Sequence, residues 1–366
     1  MGHGHGRWWY LTLDDNSDSD WTDAEASGND DEFEELHDEW PDFDLEEDIF
    51  GLTICSLIRD FHLLAWKKGA PVNRYSRLAK SFTLLLVCLA IQIFLLAQVK
   101  RFVSAKAVHD VRMAYDIFEQ HMYNGHTRVV FSEPLIERRG LGLEYFNRSR
   151  FDSLSPGDQT NACRIPLSQP LFFWVILFIW SLVCVGEIRK TRDLFLSLVW
   201  STDTCSNMRD ARGEGEPGAL FVVARLTKSV KATLTMCVLL PRFSMTCYLL
   251  WLGCRWLLAT NNFADLILNS VALEFILCLK DVLFKAMVPR RSTLDLKATK
   301  IQPAQKKEPE NLAALIGTIL WGCLAAGFVT VYMGIAGVNG GQQVLRDYQW
   351  DIHEVCTKWI LQRYAV

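Results

Sequence analysis

Uncharged apolar stretches alternate with polar stretches along this chain, and their lengths predict membrane spans. Residues 81–99 and 312–338 contain no charged side chain, and residues 169–187 contain a single one at their end. A helix of about 20 residues, rising about 1.5 Å per residue, crosses the hydrocarbon core of a bilayer. We therefore predict a transmembrane helix in each of these three stretches and an all-α fold.

The apolar region 225–288 is interrupted by Pro241 and permits two interpretations. Residues 232–259 form either two short passes or one long helix that is kinked at the proline. In the first case the amphipathic segment 263–288 lies in the membrane interface, and in the second case it spans. Both interpretations add two crossings, so we predict a polytopic transmembrane helix bundle of about five spans.

The basic residues indicate on which side each loop lies. They cluster in the juxtamembrane segment 49–80, in the loop 188–224 and in the loop 289–311, which the positive-inside rule places in the cytosol. The clusters are Arg59, Lys67, Lys68, Arg74, Arg77 and Lys80; then Arg189, Lys190 and Arg192; then Arg290, Arg291, Lys297, Lys300, Lys306 and Lys307. The insertion 100–168, expected to form a small cap, and the tail 339–366 then lie outside the cytosol.

The first 48 residues differ sharply in charge from the rest of the chain. They hold 18 acidic residues and one Arg, whereas the remainder holds 24 acidic residues and 37 Lys and Arg. Such a self-repelling segment cannot offset the entropy of ordering its backbone. We therefore predict that residues 1–48 form a disordered acidic tail, which the sidedness argument places in the cytosol.

The segment 49–80 begins with apolar residues at helical spacing and becomes basic towards its end. One interpretation is an amphipathic helix on the cytosolic leaflet of the membrane. The other is a short helix that packs against the rest of the protein. The sequence does not choose between them.

Polar side chains within the last part of region 225–288 are the best candidates for a transport path. Asp265, Asn269, Glu274 and Asp281 stand among Leu, Ile, Val and Phe residues. A carboxylate at membrane depth is costly to bury and needs a partner or a wet cavity. These side chains could line a cation path on one side and pair with Arg242 or Arg255 on the other. The alternative is an interfacial helix whose acids meet water.

Two cysteines and one asparagine are candidates for covalent modification. Seven of the 11 cysteines lie in apolar stretches, and Cys55 and Cys205 are expected to be cytosolic and reduced. Cys163 and Cys356 are both placed outside the cytosol, where a disulfide persists. Asn147 begins the sequon Asn-Arg-Ser in the insertion 100–168 and is a candidate for N-glycosylation.

The composition and the motifs exclude several classes of protein. Half of the residues are hydrophobic and the net charge is −4, which is atypical of a small soluble enzyme, a nucleic-acid-binding protein or a disulfide-rich secreted module. The chain has no nucleophile elbow, phosphate-binding loop, zinc-protease motif or metal-ligand spacing. We expect no enzymatic activity, no cofactor and no metal site.

Three stretches together resemble a large group of uncharacterised multi-pass membrane proteins of dinoflagellate algae. They are residues 114–123 (AYDIFEQHMY), 163–173 (CRIPLSQPLFF) and 265–277 (DLILNSVALEFIL). The likeness covers about residues 81–337 and implies one span, an outer insertion, further spans and a late isolated span. The group's pattern has an acid where this chain has Lys280.

We expect an integral membrane protein of the plasma membrane or an endomembrane, with its N-terminus in the cytosol and a channel- or transporter-like role for ions or small solutes. The alternative is a non-transporting anchor or scaffold, which recruits cytosolic proteins or anionic lipid through the acidic tail and the basic loop 289–311. Membrane lipid is the expected partner in either case, and nucleic acid is not.

Overall fold

The computed structural model describes residues 43–66, 71–124, 128–130, 136–138, 143–211, 221–301, 312–334, 344–345, 348 and 350–364. These residues are mostly helical, as predicted. The helices are α1 (Ile49–Trp66), α2 (Pro71–Gln98), α3 (Ala105–Met122), α4 (Pro156–Cys163), α5 (Pro170–Phe195), α6 (Lys228–Leu234), α7 (Leu240–Leu258), α8 (Phe263–Met287), α9 (Arg290–Lys297), α10 (Leu312–Met333) and α11 (Asp351–Tyr364).

Short strands accompany the helices, which the all-α prediction did not include. The described strands are β1 (Phe43–Asp44), β2 (Arg128–Val130), β3 (Ile136–Arg138), β4 (Asp203–Thr204), β5 (Phe221–Val223), β6 (Arg225–Leu226) and β7 (Thr299–Ile301). β7 pairs antiparallel with β1 and parallel with β5, β2 pairs antiparallel with β3, and β4 pairs parallel with β6. Strands of two or three residues satisfy loop backbone groups without forming a layer of their own.

Three helices are long and apolar enough to cross a membrane: Val72–Met122, Pro170–Ser201 and Lys228–Leu258. Each contains a π-helical turn, at Val99–Ser104, Leu196–Ser201 and Thr235–Leu239 respectively. Pro241 directly follows the third of these turns, where the helical hydrogen-bond pattern is already shifted, so the helix continues past it. The structure therefore has one helix through this proline and not two passes.

Helices α2, α5, α7 and α8 pack together as a bundle, and α10 packs against α5. The buried apolar side chains of the bundle form two separate cores. The first core is shared with α3, α4 and α11, and we call this end of the bundle the α11 end. The second core is shared with α1, α6, α9 and the strands β5 and β7, and we call it the α1 end.

Helix α1 packs against the rest of the protein, which is the second of the two alternatives for this segment. From Ile49 to Ile58 its apolar residues are buried in the second core, and Ile49, Ile54 and Ile58 are fully buried. Asp295 of α9 accepts ion pairs from Arg59 at 2.8 Å and from Arg77 of α2 at 2.7 Å. Apolar burial on both sides of the helix outweighs what one lipid-facing stripe would gain.

At the N-terminal end one predicted boundary differs from the structure, and at the C-terminal end the structure adds a helix. The acidic tail was predicted to extend to residue 48, but residues 43–48 form β1 and the turn into α1, because backbone pairing with β7 and the burial of Leu45 order them. The tail 339–366, for which no secondary structure was predicted, contains α11. Residues 1–42 lie outside the described part of the chain.

The α11 end carries both covalent candidates. Cys163 at the end of α4 and Cys356 of α11 form a disulfide. The Asn147 side chain accepts hydrogen bonds from the Ser149 backbone N–H at 3.1 Å and from its hydroxyl at 2.7 Å. The disulfide holds α11 on the α4 segment, although the two cysteines are 193 positions apart.

A glycine allows α5 and α7 to pack closely. A Cβ atom at Gly253 would lie 2.5 Å from the Trp180 indole nitrogen, which is far inside van der Waals contact, and Trp180 is itself buried. We expect Gly253→Ala to lower the free energy of unfolding by about 1–3 kcal/mol through overpacking. Thermal unfolding of the purified protein in detergent measures the effect. Gly322→Ala on α10, where a Cβ meets nothing, is the matched control. A melting temperature that falls equally in both variants would contradict the close packing.

The disulfide generates a second prediction about stability. Replacing Cys356 by Ser opens a long covalently closed loop, so we expect the free energy of unfolding to fall by about 2–5 kcal/mol. Unfolding is followed by intrinsic Trp fluorescence, with Cys323→Ser, an exposed free cysteine on α10, as the control. If thiol reagents label both Cys163 and Cys356 in unfolded, unreduced protein, the bond does not form.

Candidate functional site

One polar residue on each bundle helix marks the boundary between the two apolar cores. On α2, Gln92 lies between Cys88 of the second core and Leu96 of the first. The corresponding positions on the other helices are Glu187 on α5, Arg242 on α7 and Lys280 on α8, each flanked by core residues in the same way. We call these four residues the polar layer.

The polar layer holds two buried cations that share one carboxylate. Arg242 is 3% exposed and Lys280 is 5% exposed. Glu187 Oε2 lies 3.1 Å from Arg242 Nη2 and 2.7 Å from Lys280 Nζ. Two unpaired cations would be very unfavourable in this apolar environment, so the carboxylate is needed for the helices to pack.

Two more carboxylates reach the layer from the segment before α1. Glu46 Oε2 lies 2.6 Å from Arg242 Nη2, and Asp48 Oδ2 lies 3.2 Å from Lys280 Nζ and 3.6 Å from Arg242 Nη1. Lys190 completes the cluster at its edge, with Nζ 2.9 Å from Glu187 Oε1 and 3.8 Å from Glu46 Oε1. We call these six charged residues the charge cluster.

Local structure explains why this segment turns into the bundle. Asp48 caps the first turn of α1, where its Oδ1 accepts a hydrogen bond of 2.6 Å from the Gly51 backbone N–H. A Cβ atom at Gly51 would lie 2.1 Å from the Glu46 carbonyl oxygen, so only glycine allows the chain to fold back this closely. Arg242 also lies over the Phe50 ring, 5.3 Å from its centroid.

Burial affects the two carboxylates of the segment differently. Burial by itself would raise the pKa of Glu46, but the charge and hydrogen bond of Arg242, together with Lys280 and Lys190, outweigh it and lower that pKa. Burial raises the pKa of Asp48 above its usual value, although Arg242 and Lys280 oppose the shift. The ionised form is therefore better stabilised at Glu46 than at Asp48.

A small cavity adjoins the cluster. It has a volume of about 20 Å³, room for about one water molecule, and Gln92, Glu187, Arg242, Thr246 and Lys280 supply its polar lining. The Gln92 side chain donates a hydrogen bond of 3.1 Å to the Ile276 carbonyl. The rest of the lining is apolar and comes from both cores: Phe50 from the second and Leu96, Leu249, Ile276 and Leu277 from the first.

The structure brings together only part of the predicted transport-path residues. Arg242 lies at the centre of the cluster, and Asp281 is half-buried next to Lys280. Asn269 donates a hydrogen bond of 2.9 Å to Thr260, away from the cluster. Asp265 and Glu274 are exposed on the outer surface of α8, so they do not line the cavity inside the bundle.

Glu274 points away from the bundle because a different face of α8 is buried. Leu266, Leu273 and Lys280, spaced seven residues apart, all lie on the buried face of the helix. Glu274 is rotated about 100° from Leu273, which takes it out of the bundle. Sequence reasoning missed Lys280, Glu187, Glu46 and Asp48 as site residues. The sequence did contain one signal for Lys280: it follows Leu266 and Leu273 at the same seven-residue spacing and so lies on the same face of α8.

The chain has been compared with protein-family models, with curated proteins and with solved structures, and no match was found. The resemblance to a dinoflagellate group stays an expectation. Within the described residues, no group of His, Cys, Asp and Glu side chains is arranged to hold a metal ion.

Removing one cation tests whether the cluster is held by charge pairing. Arg242→Met leaves Glu46 and Asp48 facing one cation fewer in a buried site, so we expect the free energy of unfolding to fall by about 3–5 kcal/mol. Lys285→Met, an exposed position on α8, is the control and should change it little. Both are measured by thermal unfolding in detergent. Equal stability of the two variants would show that the buried pairs contribute nothing.

Proposed function

We propose that this chain is a multi-pass integral membrane protein that moves ions or small solutes across a bilayer. The single observation that carries the proposal is the charge cluster between two apolar cores of a helical bundle. Ionisable side chains at membrane depth are rare and costly, and they typically belong to ion or substrate pathways.

Five helices are proposed to span the membrane: α2, α5, the continuous helix of α6 and α7, α8 and α10. Three of them meet the length and composition expected of a span, and α8 and α10 are 25 and 22 residues long. Large apolar side chains are exposed on all five, among them Leu86, Ile179, Met236, Leu268 and Leu320. Exposed apolar surface of this extent favours contact with lipid.

The charges and the disulfide support opposite compartments for the two ends of the bundle. Arg59, Arg77 and Lys190 all lie at the α1 end, which the positive-inside rule places in the cytosol. Cys163 and Cys356 are joined at the α11 end, and disulfides persist in oxidising compartments. We propose that the α11 end is an extracytosolic cap and that the N-terminus is cytosolic.

The cavity of about 20 Å³ is too small to be a continuous path, so the structure corresponds to a non-conducting arrangement in this proposal. A path through the layer requires that the charge cluster open on one side at a time or be displaced. The salt bridges within the cluster are suited to this, because an ion that enters can replace one partner of a pair without leaving a buried charge uncompensated.

A scaffold is the second candidate, and one observation favours it. The segment that carries Glu46 and Asp48 directly follows the acidic tail and is paired with β7 in the basic loop. The bundle would then serve as an anchor that fixes the tail at the cytosolic surface. In this case the charge cluster has a purely structural role.

Reconstitution into liposomes distinguishes the two candidates. We expect purified protein to release entrapped ions or small solutes faster than protein-free vesicles do, tested over a panel of alkali cations, chloride and small organic anions. Lys280→Gln should change that rate at least tenfold, because Nζ pairs with three carboxylates of the cluster. Lys285→Gln should leave the rate unchanged.

Folded protein that releases none of these solutes would exclude the transport role and favour the scaffold. Folding in the vesicles is checked by the cooperative thermal transition and by the intact disulfide, so an inactive preparation is not mistaken for a negative result.

A further inference from the structure

The bundle helices and the segment 43–48, which directly precedes α1, contribute opposite charges to the cluster. The helices contribute three cations, Arg242, Lys280 and Lys190, and one carboxylate, Glu187. The segment contributes two carboxylates, Glu46 and Asp48. Without the segment, the site formed by the helices is therefore positively charged and would attract anions.

The segment reaches the site as a short strand and turn that no bundle helix contains. Residues Phe43–Asp44 pair with Ile301 and Lys300 at the edge of the small sheet, and Leu45 is buried in the second core. Glu46 is still 26% exposed at its side chain, so the cluster is open to solvent on the side where the segment enters.

Arg242 has N–H donors that form no hydrogen bond with the segment. Arg242 Nε and Nη1 are buried and donate no hydrogen bond to any described residue. The cavity of about 20 Å³ lies against Arg242 and Lys280. A guanidinium group pairs best when two of its N–H groups meet the two oxygens of one carboxylate, and here Glu46 engages only Nη2.

We propose that Arg242 and Lys280 form a binding site for a small organic carboxylate anion, and that Glu46 and Asp48 of the chain's own N-terminal segment occupy this site as a tethered ligand. The assignment rests on the proposed transport function, of which it names the substrate class and the closed state.

A dicarboxylate fits the site better than a monocarboxylate or an inorganic cation. The segment places two carboxylates near one ammonium, with Lys280 Nζ 3.8 Å from Glu46 Oε2 and 3.2 Å from Asp48 Oδ2. A free dicarboxylate replaces both negative charges in one molecule. Glu187 remains in place and holds Arg242 and Lys280 together when the segment has left.

Thermal unfolding in detergent with succinate as the probe tests this site without measuring transport. The variant Glu46→Gln/Asp48→Asn keeps the shape of both side chains and an oxygen acceptor for the Gly51 N–H, but it removes both charges. We expect 10 mM succinate to raise its melting temperature by several degrees, because a ligand that binds only the folded state stabilises it. Wild-type protein should show a shift at least threefold smaller.

The matched control removes two charges from the same segment outside the site. Asp44→Asn/Glu47→Gln changes side chains that are 74% and 52% exposed and pair with Lys300 and Lys297. It should respond to succinate as wild-type protein does. Sodium chloride at the same ionic strength should not reproduce the shift in any variant.

Two results would overturn the assignment: an equal succinate shift in all three proteins, or no shift in folded Glu46→Gln/Asp48→Asn. If that double variant does not fold, Glu46→Gln alone is used, and the absence of a succinate shift there overturns the assignment equally. Succinate stabilisation without flux in liposomes refutes only the transport function, whereas flux without succinate stabilisation refutes only the carboxylate site.

Discussion

Charge pairing inside an apolar bundle is the interaction on which the rest of this structure depends. Arg242 and Lys280 are almost completely buried, and neither could remain there without the carboxylate of Glu187 between them. The need to pair them fixes the relative depth of α5, α7 and α8. The apolar residues on either side of this layer then separate into two cores.

The same requirement explains why the chain before α1 is part of the fold. Glu46 and Asp48 lie at the end of the acidic N-terminal region and are paired with Arg242 and Lys280. Asp48 also caps α1, so one side chain both starts a helix and balances a buried charge. The glycine at position 51 allows both contacts at once, because it lets the Glu46 carbonyl approach the helix.

This arrangement gives the proposed transport function a physical basis. At the charge cluster the bundle helices and the segment meet through charge pairs, and charge pairs can exchange partners with a dissolved ion. Apolar packing such as that of Trp180 on Gly253 has no such substitute. A conformational change is therefore easier at the charge cluster than between α5 and α7, where close packing permits few alternatives.

The sequence by itself determined the helical architecture and the long apolar helices, because hydrophobic periodicity and length act locally along the chain. It offered Cys163 and Cys356 only as a candidate pair, because the predicted topology places both outside the cytosol. It left open the course of the chain at Pro241 and the position of α1, and it did not show that Asp265 and Glu274 face outwards from the bundle. Only the tertiary structure decided that Lys280 faces inwards and meets Glu46, Asp48 and Glu187. The reason is that partners 93 or more positions apart along the chain are chosen by how helices rotate and pack, and a local pattern of apolar and charged residues does not specify that rotation.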